Sequence, residues 1–199
     1  LIERVGPVND AQRDFIHRVH VNVQNITKLI DDLFNLGQIE SGFNSNRESV
    51  RLDKMARLAL VNFSKRIEEK HQTVQVELSE DFPTVLANPV QMCQMFAKML
   101  DNAVRYTPAG GTITLRSEVD WNQLIFQVSD TGIGIPAADL PFIFDKFYRG
   151  SNVPADEGGV GLGMAIVKLI VENHQGRVWV DSAPSRGTTF TVVLPLAVT

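Results

Sequence analysis

A heptad pattern near the start of the chain constrains the fold most. Such spacing predicts an amphipathic helix that packs in a bundle or a dimer. Asn9 or Asp10 can cap its start, Gly42 follows its end, and Leu29 and Leu36 widen its apolar face. A core helix of a single globular domain is the alternative, but little sequence is available to cover that face, which favours the bundle. This heptad seam comprises Ile16, Val19, Val23, Ile26, Ile30 and Leu33.

The composition excludes several classes of protein. The 199 residues are 44% hydrophobic and 21% charged, as in ordinary globular proteins, and suffice for one large domain or for a domain plus a smaller element. A net charge of −4 argues against a nucleic-acid partner. The lone cysteine, Cys93, excludes an intramolecular disulfide and a Cys-based zinc site. No apolar run approaches the roughly 20 residues that a membrane helix needs.

Beyond a linker or turn at 42–49, helical and strand patterns alternate. Because most strands should pair antiparallel, we predict the α+β class: a two-layer α/β sandwich preceded by a long bundle-forming helix. The expected domains are 1–46 and 47–199. The predicted helices are Leu52–Lys70, Pro89–Arg105, Ala137–Phe142 and Leu162–Asn173, and the predicted strands are Val74–Leu78, Thr112–Val119, Gln123–Ser129, Val178–Ser182 and Thr188–Leu194.

Three segments carry residues with binding chemistry. Asp130 stands at the end of a predicted strand, where its carboxylate can accept a hydrogen bond from an amine of a ligand. The glycines of 130–136 allow a ligand to approach the backbone closely, although ordinary turns have similar sequences. The glycines of 158–163 precede an apolar helical run and can cradle phosphate with backbone N–H groups, or form a flexible lid. That loop lacks the Walker A lysine and the Rossmann spacing. The helix predicted at 89–105 carries a polar stripe, which alone could simply be solvated, formed by Gln94, Lys98, Asp101, Asn102 and Arg105.

Together these segments resemble the ATP-binding superfamily shared by sensor histidine kinases, DNA gyrase, mismatch-repair ATPases and a heat-shock chaperone. The resemblance is strongest to the sensor histidine kinases of two-component systems. The family's four boxes match in order, and the ending at 187–190 also fits. The matches are the N box at 99–108, the G1 box at 130–135, the F box at 144–149 and the G2 box at 159–163.

The resemblance implies an ATP site with Mg²⁺. Asn102 would hold the Mg²⁺, Asp130 would bind the adenine amino group, and Tyr106 would flank the base. Phe147 would anchor a mobile lid at 149–158. Gly132 and Gly134 would shape the wall beside the adenine, and Thr188 or Thr189 would support the Asp130 contact. The two arginines, Arg105 and Arg149, and the glycine loop would contact phosphate. The full expected set is Asn102, Arg105, Tyr106, Asp130, Gly132, Gly134, Ile135, Lys146, Phe147, Arg149, Gly159, Val160, Gly161, Leu162, Gly163, Thr188 and Thr189.

Two departures from the family pattern carry information. Lys98 stands four residues before Asn102, where the family commonly has another Asn. A lysine there argues against autonomous ATP hydrolysis, and it could either attract phosphate or be a solvated surface residue. None of the four histidines precedes an acidic residue, as a phosphoacceptor would, so no catalytic residue in the strict sense is expected. The segment 9–42 resembles the second dimerisation helix alone. In the family this helix follows a first helix in a dimerisation hairpin. Either the sequence begins inside that hairpin or the parent protein has diverged, and the first is favoured because residues 1–8 resemble the loop between the two helices.

The resemblance thus implies the ATP-binding core of a histidine protein kinase. In the intact enzyme the γ-phosphoryl group would pass to a His outside this chain and then to an Asp of a response-regulator receiver domain. It implies a homodimer through the helical bundle, no nucleic acid, and a cytoplasmic domain whose parent could be anchored in the bacterial inner membrane. The chain alone should not phosphorylate itself. The alternatives are a non-enzymatic nucleotide-binding or dimerisation module and, less favoured because of Lys98, a hydrolytic ATPase.

Overall fold

A long helix leads into a sheet covered by helices. The computed structural model describes residues 8–41, 46–79, 83–154 and 159–197. The helices are α1 (Asp10–Glu40), α2 (Leu52–Val61), α3 (Ser64–Glu69), α4 (Pro89–Tyr106) and α5 (Gly163–Asn173). The strands are β1 (Glu48–Arg51), β2 (Thr73–Glu77), β3 (Thr84–Ala87), β4 (Thr112–Asp120), β5 (Gln123–Asp130), β6 (Arg177–Ser182) and β7 (Thr188–Pro195).

The start of α1 is fixed by a reciprocal cap. Asn9 accepts a hydrogen bond from the backbone N–H of Gln12 at 2.9 Å, and the Gln12 side chain accepts from the N–H of Asn9 at 3.0 Å. This capping box satisfies N–H groups that a helix start leaves without partners. The helix predicted from Asn9 to Ser41 therefore exists, with Asn9 as its cap.

The main sheet has five strands in the order β2-β4-β5-β7-β6. Its pairs are antiparallel except β2 with β4, which are parallel. β5 is the middle strand, so Asp130 at its end has ladder partners on both sides, Ile113 and Thr188. A separate two-stranded sheet pairs β1 with β3. The expected α+β architecture is confirmed.

One face of the main sheet packs against α4 and α5. Phe96 of α4 meets Phe126 of β5 edge to face, with ring centroids 4.7 Å apart. Met92, Met99 and Ile166 are fully buried in the same layer. This packing fixes α4, whose opposite stripe carries the predicted nucleotide-binding residues.

Three predicted elements differ from the structure. The helix predicted over 52–70 is broken into α2 and α3, because the Ser64 hydroxyl donates to the carbonyl of Val61 at 2.9 Å and the backbone tightens there. The helix predicted over 137–142 is only a 3-10 turn at Leu140–Phe142. The short strands β1 and β3 were not predicted, since four residues each are too few for a clear alternation.

The carboxyl end of α4 is capped by a lysine from a neighbouring segment. The ammonium of Lys70 donates to the carbonyls of Val104, Arg105 and Thr107, each at 2.8 Å. A cation there also complements the negative end of the helix dipole. Lys70 therefore holds the end of the helix that carries Asn102.

We expect Lys70→Met to lower the free energy of unfolding by about 1.5–3 kcal/mol, because charge-assisted hydrogen bonds to a helix end are lost. Lys65→Met is the matched control, because its ammonium is solvent-exposed and pairs with the exposed Glu69 at 3.8 Å. The control should change stability by less than about 0.5 kcal/mol. Urea unfolding measures both, and equal effects would refute the capping role.

The end of α5 ties α1 and the start of β1 to the rest of the fold. The amide of Asn173 donates to the carbonyl of Ile39 in α1 at 3.2 Å, and Arg47 donates to the carbonyl of Asn173. The buried His174 accepts from the backbone N–H of Asn88 at 3.0 Å. Burial lowers the pKa of the His174 ring. α1 is thus attached at its carboxyl end.

Candidate functional site

A cavity of about 470 Å³ opens where α4, β5, the glycine loop and α1 meet. It brings together residues that are far apart in the chain. Among the described residues, those expected from the sequence that line it are Asn102, Arg105, Tyr106, Asp130, Gly134, Ile135, Arg149, Gly159, Val160, Gly161, Leu162, Gly163 and Thr188.

Asp130 stands at the end of the middle strand with one oxygen already engaged. Its Oδ1 accepts from the backbone N–H of Gly132 at 2.8 Å and of Thr188 at 3.3 Å. Both bonds fall on the same oxygen, which leaves Oδ2 to accept a donor in the cavity. Burial raises the pKa of Asp130 to about 6, although these two bonds oppose the rise. The site therefore presents a desolvated carboxylate at neutral pH.

The turn after Asp130 packs tightly on neighbouring backbone. Gly134 has φ of +69°, and a side chain there would overlap the carbonyl of Ala183. The backbone N–H of Ile133 donates to the carbonyl of Tyr106 at 3.2 Å, and that of Ile135 to Ser182 Oγ at 2.9 Å. This turn joins the end of α4 to the end of β6, and only glycine fits at its centre.

Asp101 organises the cations on the rim of the cavity. It pairs with Arg66 at 2.6 Å, Arg105 at 2.9 Å and Lys28 of α1 at 3.2 Å. Burial alone would raise the pKa of Asp101, but the hydrogen bond from Arg66 and the charges of the three cations hold it below its usual range. Arg105 is thereby fixed with its guanidinium beside Gly159. Asn102 follows directly on the same helix and lines the cavity.

The glycine loop meets the cavity at the start of α5. Gly159 and Gly161 have φ of +141° and +77°, and the carbonyl of Gly161 accepts from the N–H of Phe147 at 3.0 Å. α5 begins at Gly163, which lines the cavity. The N–H groups and the positive dipole end of a helix start favour an anion such as phosphate. Gly158 lies outside the described residues.

The segment at 148–154 is tied to the fold at Asp139. Tyr148 donates its hydroxyl to Asp139 at 2.9 Å, and Ser151 donates both its N–H, at 2.7 Å, and its hydroxyl, at 2.9 Å. The backbone bond from Ser151 is the main reason that the pKa of Asp139 lies below its usual range. The first part of the predicted lid is thus anchored, and 155–158 lie outside the described residues.

Four expected site residues are not among the described residues that line the cavity. Lys146 pairs with Glu40 of α1 at 2.5 Å. The Phe147 ring is exposed, so this residue contacts the glycine loop through its backbone rather than its side chain. Thr189 shares a hydrogen bond with Ser129 at 2.9 Å, and Gly132 packs against the carbonyl of Tyr106. Their roles in binding stay predictions.

α1 forms one wall of the cavity, which was not predicted from the sequence. Val21, Lys28 and Asp32 line it, and Asp32 pairs with Lys98. Lys98 is therefore not a solvated surface residue. The only available signal was that Lys28, Asp32 and Leu36 share a helix face away from the heptad seam. The apolar lining from Ile133, Ile143, Met164 and Phe190 was also not predicted. Ile133 and Phe190 lie inside the matched segments 130–135 and 187–190 but had no assigned contact, and Ile143 and Met164 lie one residue outside the F and G2 boxes.

Comparison with known proteins assigns the family. The family described as histidine kinase-, DNA gyrase B-, and HSP90-like ATPase matches residues 87–198, which include the polar stripe of α4, Asp130 and the glycine loop. The chain belongs to this family.

Among curated relatives, it is 34% identical over 197 residues to the circadian input-output histidine kinase CikA of Synechococcus elongatus, covering 96% of this chain and 26% of that protein. It is 32% identical over 199 residues to the sensor histidine kinase WalK of Bacillus subtilis, covering 98% of this chain and 32% of WalK. The chain spans about a third or less of these two relatives.

Solved structures agree with the fold. A mycobacterial sensor histidine kinase, MprB, superposes with a TM-score of 0.67 at 27% identity, covering 77% of this chain and 99% of that chain. Full-length ShkA in complex with AMPPNP superposes with a TM-score of 0.79 at 24% identity, covering 98% of this chain and 41% of that chain. The fold is therefore that of histidine kinase catalytic domains. Within the described ranges, no helix is both long and apolar enough to cross a membrane.

Proposed function

We propose that this chain contains the ATP-binding core of a sensor histidine protein kinase, in residues 47–199, with the second helix of a dimerisation hairpin in residues 1–46. One observation carries the proposal. The carboxylate of Asp130 faces the same cavity as a glycine loop and a helix start, so the site offers an acceptor for a base amine and N–H donors for phosphate. That combination suits a purine nucleotide.

The chemistry assigned to the chain is positioning and charge neutralisation. Asp130 would orient the adenine, while the loop at 159–163, Arg105 and Arg149 would hold the phosphates. These are the main requirements of phosphoryl transfer, in which the protein itself forms few covalent bonds. The γ-phosphoryl group would pass to a His outside this chain, and from there to an Asp of a response-regulator receiver domain. No role for nucleic acid is proposed.

Mg²⁺ is the metal implied by this function, and the donors present fit it. Asn102 lines the cavity with a neutral amide, and the neighbouring carboxylate of Asp101 is already engaged by three cations. Mg²⁺ prefers oxygen ligands and usually retains several waters, so one protein oxygen with phosphate oxygens is sufficient. The amide oxygen of Asn102 would hold the ion, which supplies positive charge to the phosphates.

The test is calorimetric titration with ATP, with and without Mg²⁺. The wild-type chain should bind ATP more tightly with Mg²⁺, whereas Asn102→Ala should lose most of that metal dependence. Asn122→Ala, in the turn between β4 and β5, is the control and should behave like the wild type. A wild-type chain that does not bind ATP would refute the proposed function. ATP binding without transfer of phosphate to any supplied histidine hairpin would favour the non-enzymatic module.

The two sides of α1 support its assignment to a helical bundle. Leu36 and Ile39 are buried in the hydrophobic core, so the prediction that Leu36 widens the apolar face of the seam is wrong. The heptad seam is on another side of the helix: Val23 is 56% and Ile30 60% exposed. Leaving such aliphatic side chains in water forgoes roughly 1.5–3 kcal/mol each. We therefore propose that the seam pairs two copies of the chain.

We expect the wild-type chain to self-associate, and the double substitution Val23→Glu with Ile30→Glu to give a monomer that still binds ATP. The charged side chains would otherwise be buried without partners in the helix pair. The control, His17→Glu with Gln24→Glu, adds two carboxylates at exposed positions off the seam and should remain associated. Sedimentation measures all three. A wild-type monomer, or a dimer that survives both substitutions, contradicts the pairing.

A further inference from the structure

Lys98 lies at the end of the cavity that is formed by the glycine loop and the start of α5. It is on α4, one turn before Asn102, and its aliphatic chain borders the start of α5, where the β-carbon position of Gly163 is 3.9 Å from its Cδ. Its side chain is only 14% exposed and lines the cavity. A cation in this place is within the reach of a group held by the glycine loop.

The charge of Lys98 is balanced by α1. Asp32 forms an ion pair with the ammonium, is itself only 12% exposed, and lines the same cavity. Interactions between such poorly solvated charges are screened less than those on the surface. A triphosphate bound at the glycine loop would bring several negative charges towards Asp32, and it would offer Lys98 a second anionic partner. The carboxylate and the phosphates therefore compete for one cation.

We propose that Lys98 is a further phosphate-binding residue of this site, which exchanges Asp32 for the terminal phosphate when a nucleoside triphosphate binds. The inference rests on the proposed function. Triphosphate binding would therefore weaken the attachment of α1 through the Lys98–Asp32 pair. By thermodynamic linkage, this pair weakens triphosphate binding by the same free energy. A nucleoside without phosphates would bind without disturbing the pair.

The experiment compares affinities for ATP and adenosine, which share the base but not the phosphates. Asp32→Asn keeps the shape and a hydrogen-bond acceptor for Lys98 but removes the competing charge. NMR titration should show at least fivefold tighter ATP binding and unchanged adenosine binding. Asp31→Asn is the matched control, because it removes the same charge from the next, exposed residue and should leave both affinities within twofold.

A second variant tests Lys98 itself. Adding Lys98→Gln to Asp32→Asn should abolish the gained ATP affinity and leave adenosine binding unchanged. The inference is overturned if Asp32→Asn does not tighten ATP binding, if Asp31→Asn tightens it equally, or if the double variant binds ATP as well as Asp32→Asn. These outcomes are distinct from failure of the proposed function, in which the wild type would bind neither ATP nor adenosine.

Discussion

Replacing Asp130 by Asn should weaken ATP binding by more than tenfold and at the same time stabilise the fold. The two side chains have the same shape, and an Asn oxygen can still accept from the N–H groups of Gly132 and Thr188. What changes is the second atom, which becomes an N–H donor facing the adenine amine. Losing a buried charge-assisted hydrogen bond costs about 1.5–3 kcal/mol, equivalent to a loss of affinity of over tenfold.

The gain in stability follows from the pKa of Asp130, which is about 6 in the fold, whereas an ordinary Asp carboxyl has a pKa of 3.8. The protonated form is therefore favoured by folding. The stability from this group is fully present below pH 3.8 and is lost as the pH rises through 6. At pH 7 the ionised carboxylate costs the fold on the order of 3 kcal/mol or less. The Asp130→Asn variant has no charge at this position and avoids that cost.

Urea unfolding at pH 7 and pH 5, beside calorimetric titration with ATP, measures both effects. At pH 7 the Asn variant should be more stable than the wild type, and the difference should shrink at pH 5. His174, whose pKa is lowered, destabilises the fold as the pH falls, but it does so in both proteins and cancels in the comparison. A variant that is less stable at pH 7, or that binds ATP normally, would contradict the assignment.

Gly161→Ala should weaken ATP binding at least tenfold and lower the free energy of unfolding by about 1–3 kcal/mol. The residue has φ of +77°, which costs a side-chain-bearing residue about 1 kcal/mol or more. The added β-carbon would also overlap the backbone carbonyl of Tyr148. Relief requires the loop to move away from residues 147–148, and the N–H groups around it would lose their alignment.

Gly37→Ala is the matched control, since it adds the same methyl group in the last turn of α1, where no described side chain or neighbouring element lies within 4 Å of the new β-carbon. It should stabilise the helix by roughly 0.5–1 kcal/mol and leave ATP binding unchanged. Calorimetry and urea unfolding report both variants. ATP binding by Gly161→Ala that equals that of the control would show that the glycine loop does not hold phosphate.

The local parts of the site could be predicted from the sequence. Asn102 and Arg105 share a helix face by spacing alone, and the glycines of 159–163 stand before an apolar helical run. The long-range parts could not be predicted. The pairing of Asp32 with Lys98 spans 66 residues, and nothing in either segment specifies it. The break between α2 and α3 is a tightened turn at 62–63, and no Gly or Pro marks it in the sequence.

The place of Asp130 in the sheet sets the order in which a nucleotide would leave. Amides paired on both sides within a central strand exchange with solvent mainly through global opening. The proposed adenine contact is therefore held by ladder partners on both sides, Ile113 and Thr188. Gly159 and Gly161, by contrast, lie in a loop outside any ladder. Dissociation should begin at the phosphates, and the base should be the last part of the nucleotide to be released.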